Sequence, residues 1–149
     1  MTAGRYCNRE VIITAPETTA TEAAQLMREY HVGDLVVVEK QEKENMPVGI
    51  VTDRDLVIEI MAQDLSPEVK QVKDIMSAHP VSVTESASLF DSLEQMRGRG
   101  IRRLVVVNDQ GGLEGILCAD DVIELIAEIS NDLVKLVRRE QMHEQQERL

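Results

Sequence analysis

The sequence predicts an α/β (α+β) fold made of two tandem modules, each with the strand and helix order β-α-β-β-α. The first observation is an internal repeat, in which residues His31 to Val38 match residues Gly100 to Val107. The second is a strand-to-helix segment that occurs at residues 49–56 and again at residues 115–122. The third is an apolar periodicity after the second copy, which predicts an extended C-terminal helix.

The composition predicts an aliphatic core and argues against two classes of partner. Of the 149 residues, 43% are apolar, but only 2% are aromatic and none is Trp. The formal net charge is -11. Such an acidic surface repels nucleic-acid backbones and anionic membranes, so we expect neither as a partner. A local basic patch can still hold one small anion.

The residues that usually carry catalysis or bind metals form no cluster in the sequence. Cys7 and Cys118 lie far apart without CxxC spacing, and we expect reduced thiols. His31, His79 and His143 are scattered without the spacing of metal ligands. No nucleophile elbow or phosphate-binding loop is present, so the chain is predicted not to be an enzyme. The sequence has neither a signal peptide nor a run of about 18 apolar residues, which predicts a cytoplasmic protein.

Each copy begins with a short strand, followed by a helix with an N-terminal capping signal. The helix starts are Thr19-x-x-Glu22 and Ser88-x-x-Asp91. The first copy also carries three extra residues within the charged stretch Glu39–Pro47, where we expect a solvated hairpin loop. The predicted strands are Val11–Thr14, Leu35–Glu39, Val48–Thr52, Pro80–Thr84, Leu104–Asn108 and Leu113–Cys118.

The domain organisation follows from the repeat. Module 1 is predicted at residues 1–62, a linker at 63–75, module 2 at 76–129 and a C-terminal helical extension at 130–149. Within the linker, Ser66-Pro67-Glu68 predicts a helix start with Pro at the first helical position. Each half is too small to bury a sufficient core alone. We therefore expect the two modules to pack as a pseudo-two-fold pair that shares a sheet face.

The closing helix of the second copy is longer than one module needs. Its apolar residues are spaced alternately four and three residues apart, as in the a and d positions of a heptad repeat, over about two heptads. Residues 138–149 are almost wholly polar, and we expect this end to fray. Two heptads are marginal for an independent coiled coil, so the helix is predicted to extend the interface of a homodimer. The periodic residues are Val122, Ile126, Ile129, Leu133 and Leu136.

The strand-to-helix segment of the first copy has the chemistry of a nucleotide site. Thr52 lies at the expected N-cap, where a hydroxyl and free helix amides can bind an anion. Asp55 can accept hydrogen bonds from two vicinal hydroxyls, and Arg54 can supply the cation for a phosphate. The alternative is that Thr52 and Asp55 serve only as a capping box for the helix.

The pattern Gly-h-h-[Ser/Thr]-x-x-Asp, where h is apolar, within a duplicated β-α-β-β-α frame resembles the cystathionine-beta-synthase-type (CBS) module. The resemblance extends from about Arg9 to about Ile129. It implies a pair of adenosine-ligand-binding modules, usually assembled into a flat four-module dimer. It also implies that Thr52 contacts phosphate and Asp55 contacts ribose. Adenine would lie in an apolar cleft beside backbone groups of Ile13 and Thr14.

The second copy departs from the family pattern at one position. Cys118 replaces the hydroxyl residue, and a thiol is a weak hydrogen-bond donor and a poor cap. Asp121 can still bind ribose. Arg102 and Arg103 resemble the phosphate-side positions of some family members; the alternative is that both face solvent or form ion pairs. We expect the Thr52 cleft to bind phosphate-bearing ligands better than the Cys118 cleft.

Together these features predict a stand-alone regulatory CBS pair without an essential cofactor. Its ligand would be an adenosyl compound such as AMP, ADP, ATP, NAD or S-adenosylmethionine. A separate effector protein, which the sequence does not identify, would receive the signal. The alternative is a dimerisation scaffold that binds no ligand. A panel of adenosyl ligands distinguishes the two, because only the sensor is stabilised by them.

Overall fold

The structure is a computed structural model that describes residues 1–148, and it contains two small sheets, one in each repeat. The expected β-α-β-β-α order is present in both copies, with additional short elements before each one. A π-helical segment, Leu56–Met61, follows the short helix Asp53–Asp55. The elements are α1 Ala3–Tyr6, β1 Ile13–Thr14, α2 Ala20–Tyr30, β2 Asp34–Gln41, β3 Glu44–Thr52, α3 Asp53–Asp55, α4 Val72–Ile75, β4 Ser77–Ala78, β5 Ser82–Thr84, α5 Leu89–Arg99, β6 Arg103–Val107, β7 Leu113–Cys118 and α6 Ala119–Glu147.

The two sheets have the same pairing. The first sheet has the order β1-β2-β3-β4, with β1 parallel to β2 and the other pairs antiparallel. The second has the order β5-β6-β7, with β5 parallel to β6 and β6 antiparallel to β7. The register shifts at matching points, between Val37 and Val38 and between Val106 and Val107. The duplication therefore extends to the irregularities of the backbone.

Local signals explain where α2 and α5 begin and end. Thr19 and Glu22 form the predicted reciprocal capping box at the start of α2. At the start of α5 the Ser88 hydroxyl accepts a hydrogen bond from the Asp91 amide at 3.0 Å. Both helices end at a left-handed residue in the same repeat position, His31 with φ 54° and Gly100 with φ 65°. Gly100 adopts this conformation at little steric cost, whereas His31 must accept some strain.

Three clusters of aliphatic residues form the core, as the composition predicted. One lies within each module, and the third lies between the two sheets, where β3 and β7 approach each other. The modules therefore share a sheet face, as the sequence predicted. The buried residues of the third cluster are Val36, Val38 and Ile116, and Val11, Ile50, Leu113 and Cys118 pack against them.

Each sheet is completed by a segment from outside its own repeat. Helix α1 lies on the second module, where the Ala3 amide donates to the Ala87 carbonyl at 2.8 Å. Strand β4 pairs with β3 of the first sheet. A Cβ atom on Gly115 would lie 2.7 Å from the carbonyl oxygen of Asn8, and one on Gly49 would lie 3.0 Å from that of Ser77. The glycine that opens each strand-to-helix segment is therefore required by this close backbone approach.

Two predictions about connecting segments were wrong. The charged stretch Glu39–Pro47 is strand rather than loop over most of its length, because β2 and β3 stay paired as far as Gln41 and Glu44. The segment that starts at Ser66 forms a single turn rather than a helix. The reason is that the carbonyls of Pro67 and Lys70 accept hydrogen bonds from amides of α2 instead of continuing a helical ladder.

The C-terminal prediction was right about the helix but wrong about its end. Helix α6 continues through the polar segment to Glu147, and Leu149 lies outside the described residues. Two pairs spaced four residues apart, Arg148–Glu144 at 2.7 Å and His143–Glu147 at 3.6 Å, support its last turns. Glu, Gln, Arg and Met are also good helix formers. Among the periodic residues of the closing helix, Val122 is buried in its own module, whereas the others are exposed.

Candidate ligand cleft between the two modules

The first candidate site lies where β3 ends and α3 begins. Thr52 is the N-cap, and its hydroxyl oxygen accepts a hydrogen bond from the Asp55 amide at 3.2 Å. The Asp55 Oδ2 atom accepts a hydrogen bond from the Thr52 amide at 2.9 Å. The capping box is therefore formed. Within residues 1–148, the second carboxylate oxygen of Asp55 accepts no hydrogen bond, so one acceptor remains for a ligand hydroxyl.

Strand register places one other predicted site residue, Ile13, on the same sheet face as Thr52. Asp34 lies opposite Thr52, and Val36 lies opposite Ile50 and beside Ile13. Because alternate residues of a strand share a face, these five side chains project to one side of the sheet. Val36 and Ile50 belong to the cluster between the modules, so this face is turned toward the second module. Ile13 remains 40% exposed at the edge of the sheet.

Thr14 lies on the opposite face. Its side chain is buried, and its hydroxyl donates to the Thr18 hydroxyl at 2.9 Å. In a ligand site Thr14 can therefore contribute only its backbone. β1 is the edge strand of its sheet, which leaves one side of its backbone without a strand partner in the described part of the chain. This edge is where the base of a nucleotide would find backbone hydrogen-bonding groups.

The second candidate site has the same frame with different side chains. Cys118 ends β7 and its amide donates to the Asp121 Oδ2 atom at 3.2 Å, which reproduces one half of the first site's capping box. In the other half, the Cys118 sulfur takes the place of the Thr52 hydroxyl oxygen opposite the Asp121 amide, and sulfur is the weaker acceptor. Ser82 occupies the position that corresponds to Ile13, since both lie beside the matching valines of β6 and β2.

The two arginines of the second copy are both ion-paired, as the alternative in the sequence analysis stated. Arg102 pairs with Asp120 through its Nη2 atom. The Arg103 Nε atom lies 2.6 Å from the Asp34 Oδ2 atom, so this pair joins the two modules. Arg103 is in register with Cys118, and Asp34 is in register with Thr52. Arg54 is exposed, and among residues 1–148 its guanidinium has no ion-pair partner.

Charge is distributed unequally around the two helix starts. At the first site, the Asp53 carboxylate accepts from the Arg54 amide at 2.8 Å, and Asp34 lies beside Thr52. At the second site, Ala119 replaces Asp53 and Arg103 replaces Asp34, while Asp120 replaces Arg54 and offsets part of this difference. The first helix start is therefore surrounded by more negative charge than the second.

The thiol at the second site is not an activated nucleophile. Burial raises the pKa of Cys118 above its ordinary value, and the neighbouring Asp121 carboxylate raises this pKa further. Arg103 opposes these effects without reversing them. The thiol therefore stays protonated near neutral pH, where only the thiolate would react readily.

Two kinds of feature are absent from the described part of the chain. In residues 1–148, no three His, Cys, Asp or Glu side chains come together as a group able to hold a metal ion. No helix of this range is both long enough and apolar enough to cross a bilayer.

Sequence reasoning missed two cleft residues, Asp34 and Ser82. Asp34 could have been found from the repeat alignment, because it occupies the repeat position of Arg103, whereas Ser82 is matched to Ile13 only by the pairing of β5 and β1. Opposite charges at equivalent positions of a pseudo-symmetric pair indicate a contact across the axis. Without the register of β1 and β5, however, the short first strands could not be aligned residue by residue.

Comparison with known proteins identifies the family. A family model described as CBS domain matches residues 3–62 and 72–128. An uncharacterized protein of Methanopyrus kandleri is 35% identical over 139 residues, which cover 91% of this chain and 69% of that protein. The CBS-pair protein CBSX2 of Arabidopsis thaliana has a solved structure that aligns with a TM-score of 0.73 at 27% identity, covering 87% of this chain and 96% of that one.

A second similar structure contains a ligand. It is a CBS domain protein of Pyrobaculum aerophilum complexed with AMP, and it aligns with a TM-score of 0.71 at 26% identity over 81% of this chain and 89% of that one. The two family matches, the duplicated sheets and the shared inter-sheet core agree with the resemblance found in the sequence. The chain belongs to the CBS domain family, as a tandem pair of CBS modules.

Proposed function

We propose that this CBS pair is a regulatory module that binds an adenosine-containing ligand between its two halves. The observation that carries the proposal is the shared sheet face. It brings Ile13, Asp34 and Thr52 together beside the free carboxylate oxygen of Asp55, at the boundary between the modules. The apolar edge suits the base of a nucleotide, the helix start suits its phosphate, and the carboxylate acceptor suits its ribose hydroxyls.

In the proposed complex each residue has one task. The free oxygen of Asp55 accepts from the ribose hydroxyls, and Thr52 and Arg54 contact the phosphate. The base lies against Ile13 and takes hydrogen bonds from the unpaired backbone of β1 near Thr14. In the second cleft Asp121 binds ribose and Arg103 binds phosphate, beside Cys118. The ligand regulates the module and is not an essential cofactor.

Among adenosyl ligands, AMP is the first to test, because a similar CBS domain protein was crystallised with it. The experiment is a thermal-shift panel of AMP, ADP, ATP, NAD and S-adenosylmethionine, with GMP as a matched control for the base. A ligand at 100 times its Kd stabilises the folded protein by about 2.7 kcal/mol, which shifts the melting temperature measurably. Stabilisation by adenosyl ligands but not by GMP is the expected result.

A second candidate function, a scaffold that binds no ligand, is favoured by one observation. Thr52 and Asp55 already satisfy each other as a capping box, which stabilises the helix start with no ligand present. An absence of stabilisation by every adenosyl compound would support the scaffold. Chromatography of the same mixtures tests for catalysis, and we expect the nucleotides to be recovered unchanged.

We also propose that the functional unit is a homodimer formed through the helices of both modules. In module 1 an apolar groove between α2 and the π-helical segment is lined by Ala24, Leu56, Ile60 and Met61. In module 2 Phe90, Ile123 and Ile126 are each more than half exposed. A two-fold dimer would cover these faces together. We propose that the signal passes from this dimer to a separate effector protein.

A further inference from the structure

We propose that Asp34 acts as an internal competitor of the ligand phosphate by holding Arg103 in an ion pair. This inference rests on the proposed function, because it concerns the regulation of the same cleft. It identifies Asp34 as the residue that lowers the affinity for phosphate-bearing adenosyl ligands relative to adenosine. It also makes the ion pair a physical link between the two clefts.

The first argument is the position of the pair. Asp34 and Arg103 occupy the same place in the two repeats, directly before the matching runs Leu35–Val38 and Leu104–Val107. Their side chains meet at 2.6 Å, so the pseudo-two-fold axis passes close to this contact. One repeat position therefore carries opposite charges in the two copies, and the resulting ion pair bridges the modules.

The second argument is that the pair borders both candidate sites. Asp34 is in register with Thr52, the N-cap of the first closing helix. Arg103 is in register with Cys118, the N-cap of the second. A phosphate that recruits Arg103 to either helix start would leave Asp34 without its partner, and the electrostatic field at the other helix start would change as well.

The third argument is energetic. The side chains of Arg103 and Asp34 keep 42% and 22% of their exposure, so water and salt weaken the pair. The shortest contact between Asp34 and the guanidinium is at the Nε atom. A phosphate can engage the planar guanidinium through two parallel hydrogen bonds. The phosphate can therefore displace Asp34, but it must overcome the existing pair to do so.

The other nearby charges do not provide the same competition. Arg102 is held by Asp120 of its own module, through an interaction that does not cross the boundary. Asp53 bonds the Arg54 amide and contacts no guanidinium in residues 1–148. Arg103 is thus the cleft cation whose counter-ion comes from the opposite module.

The test is calorimetric titration of AMP and of adenosine at one ionic strength. The proteins are the parent, Asp34→Asn, Arg103→Gln and the double variant. We expect Asp34→Asn to bind AMP about two- to fivefold more tightly, the range that breaking a partly exposed ion pair allows, with no change for adenosine. Arg103→Gln should weaken AMP binding, and the double variant should match Arg103→Gln. Thermal unfolding of each variant confirms that it is folded.

The double variant separates competition from a general charge effect. If Asp34→Asn tightens AMP binding by the same factor in the parent and in the Arg103→Gln background, the gain comes only from removing a negative charge. That result overturns the inference. An unchanged or weaker AMP affinity in Asp34→Asn also overturns it. If all four proteins bind adenosine and AMP equally well, the proposed function stands but the inference fails. If none of them binds either compound, both fail.

Discussion

The two strand-to-helix junctions have the same backbone frame but different chemistry. The first is closed by a complete capping box between Thr52 and Asp55. The second retains the Asp121 half of that arrangement and lacks a hydroxyl at Cys118. Acidic groups surround the first junction, whereas Arg103 lies beside the second. The two copies are therefore alike in the residues that pack the sheets and differ in the residues that border the candidate sites.

The residues alike in both copies have clear structural reasons. Gly49 and Gly115 allow a neighbouring backbone to approach, and Leu35 and Leu104 are fully buried in matching cores. Substitution at such positions would create a clash or a cavity in one module. The residues that border the candidate sites, such as Thr52, Asp55 and Arg103, are partly or fully exposed, so their identity could change without loss of the fold. Differences in function between the modules should therefore be found in the cleft.

The largest expected effect is on ligand binding when Asp55 is truncated. Asp55→Ala should weaken AMP binding by more than about tenfold, because a hydrogen bond to a charged group contributes about 1.5–3 kcal/mol. Asp55→Asn should lose a similar part of the AMP affinity while keeping more of the N-capping interaction at the helix start. Calorimetric titration measures both, and the equivalent Asp121→Ala variant reports on the second cleft.

Asp74→Ala is the matched control for this experiment. Asp74 also accepts a hydrogen bond from an N-cap amide, that of Gln71 at 2.9 Å, but at the start of α4. It should lower stability to a similar degree and leave the AMP affinity unchanged. If Asp55→Ala and Asp74→Ala both bind AMP like the parent, the assignment of Asp55 is wrong.

The next largest effect is expected on dimerisation. The closing helices of the two copies differ here, because only the second one extends beyond its module. Ile126→Lys should raise the dimer dissociation constant more than tenfold, since Ile126 lies next to the exposed helix faces of module 2. Leu133→Lys with Leu136→Lys should have a smaller effect, because these residues lie beyond the modules. Light scattering over a dilution series measures the mass of each protein.

Asn131→Lys serves as the control for added charge, since it lies outside the apolar stripe of α6. It should leave the mass unchanged. A mass of one chain for the parent at concentrations of tens of micromolar would refute the dimer.

A smaller effect is expected on stability when the two N-caps are exchanged. Cys118→Thr should stabilise the fold and Thr52→Cys should destabilise it, each by about 0.5–2 kcal/mol, because a hydroxyl accepts from the third helical amide and a thiol does so poorly. Urea unfolding measures both. Cys118→Thr should also improve AMP binding at the second cleft. Equal stability of all three proteins would show that the caps contribute nothing.

The smallest effect is on thiol reactivity, measured in a Cys7→Ser background. Burial raises the pKa of Cys118, so alkylation near neutral pH should be slower than for an unfolded chain and should increase as the pH rises past the ordinary thiol value. Because the folded pKa lies above the unfolded one, the stability from this group is complete at neutral pH and is lost as the pH rises through the folded value. If Cys118 in the folded protein is alkylated as fast as in urea, the thiol is not buried as described.

The sequence was sufficient to predict the elements that depend on local chemistry. The Thr19 capping box, the matching central strands and the aliphatic core follow from spacing and residue type, and all are present. The packing of α1 on the second module could not be predicted, because it depends on hydrogen bonds such as that from Ala3 to Ala87, far apart in the sequence. The Asp34–Arg103 pair has the same cause. Tertiary contacts also explain why the Ser66 segment does not form a helix.

The most direct test of a ligand site between the modules is an NMR titration of the unmutated protein with AMP, followed through backbone amide signals. We predict saturable shifts for Thr52 to Asp55 and for residues near Ile13 and Arg103, and little change along the outer part of α6. No shifts at millimolar AMP, or shifts confined to residues away from the two helix starts, would contradict the proposed site.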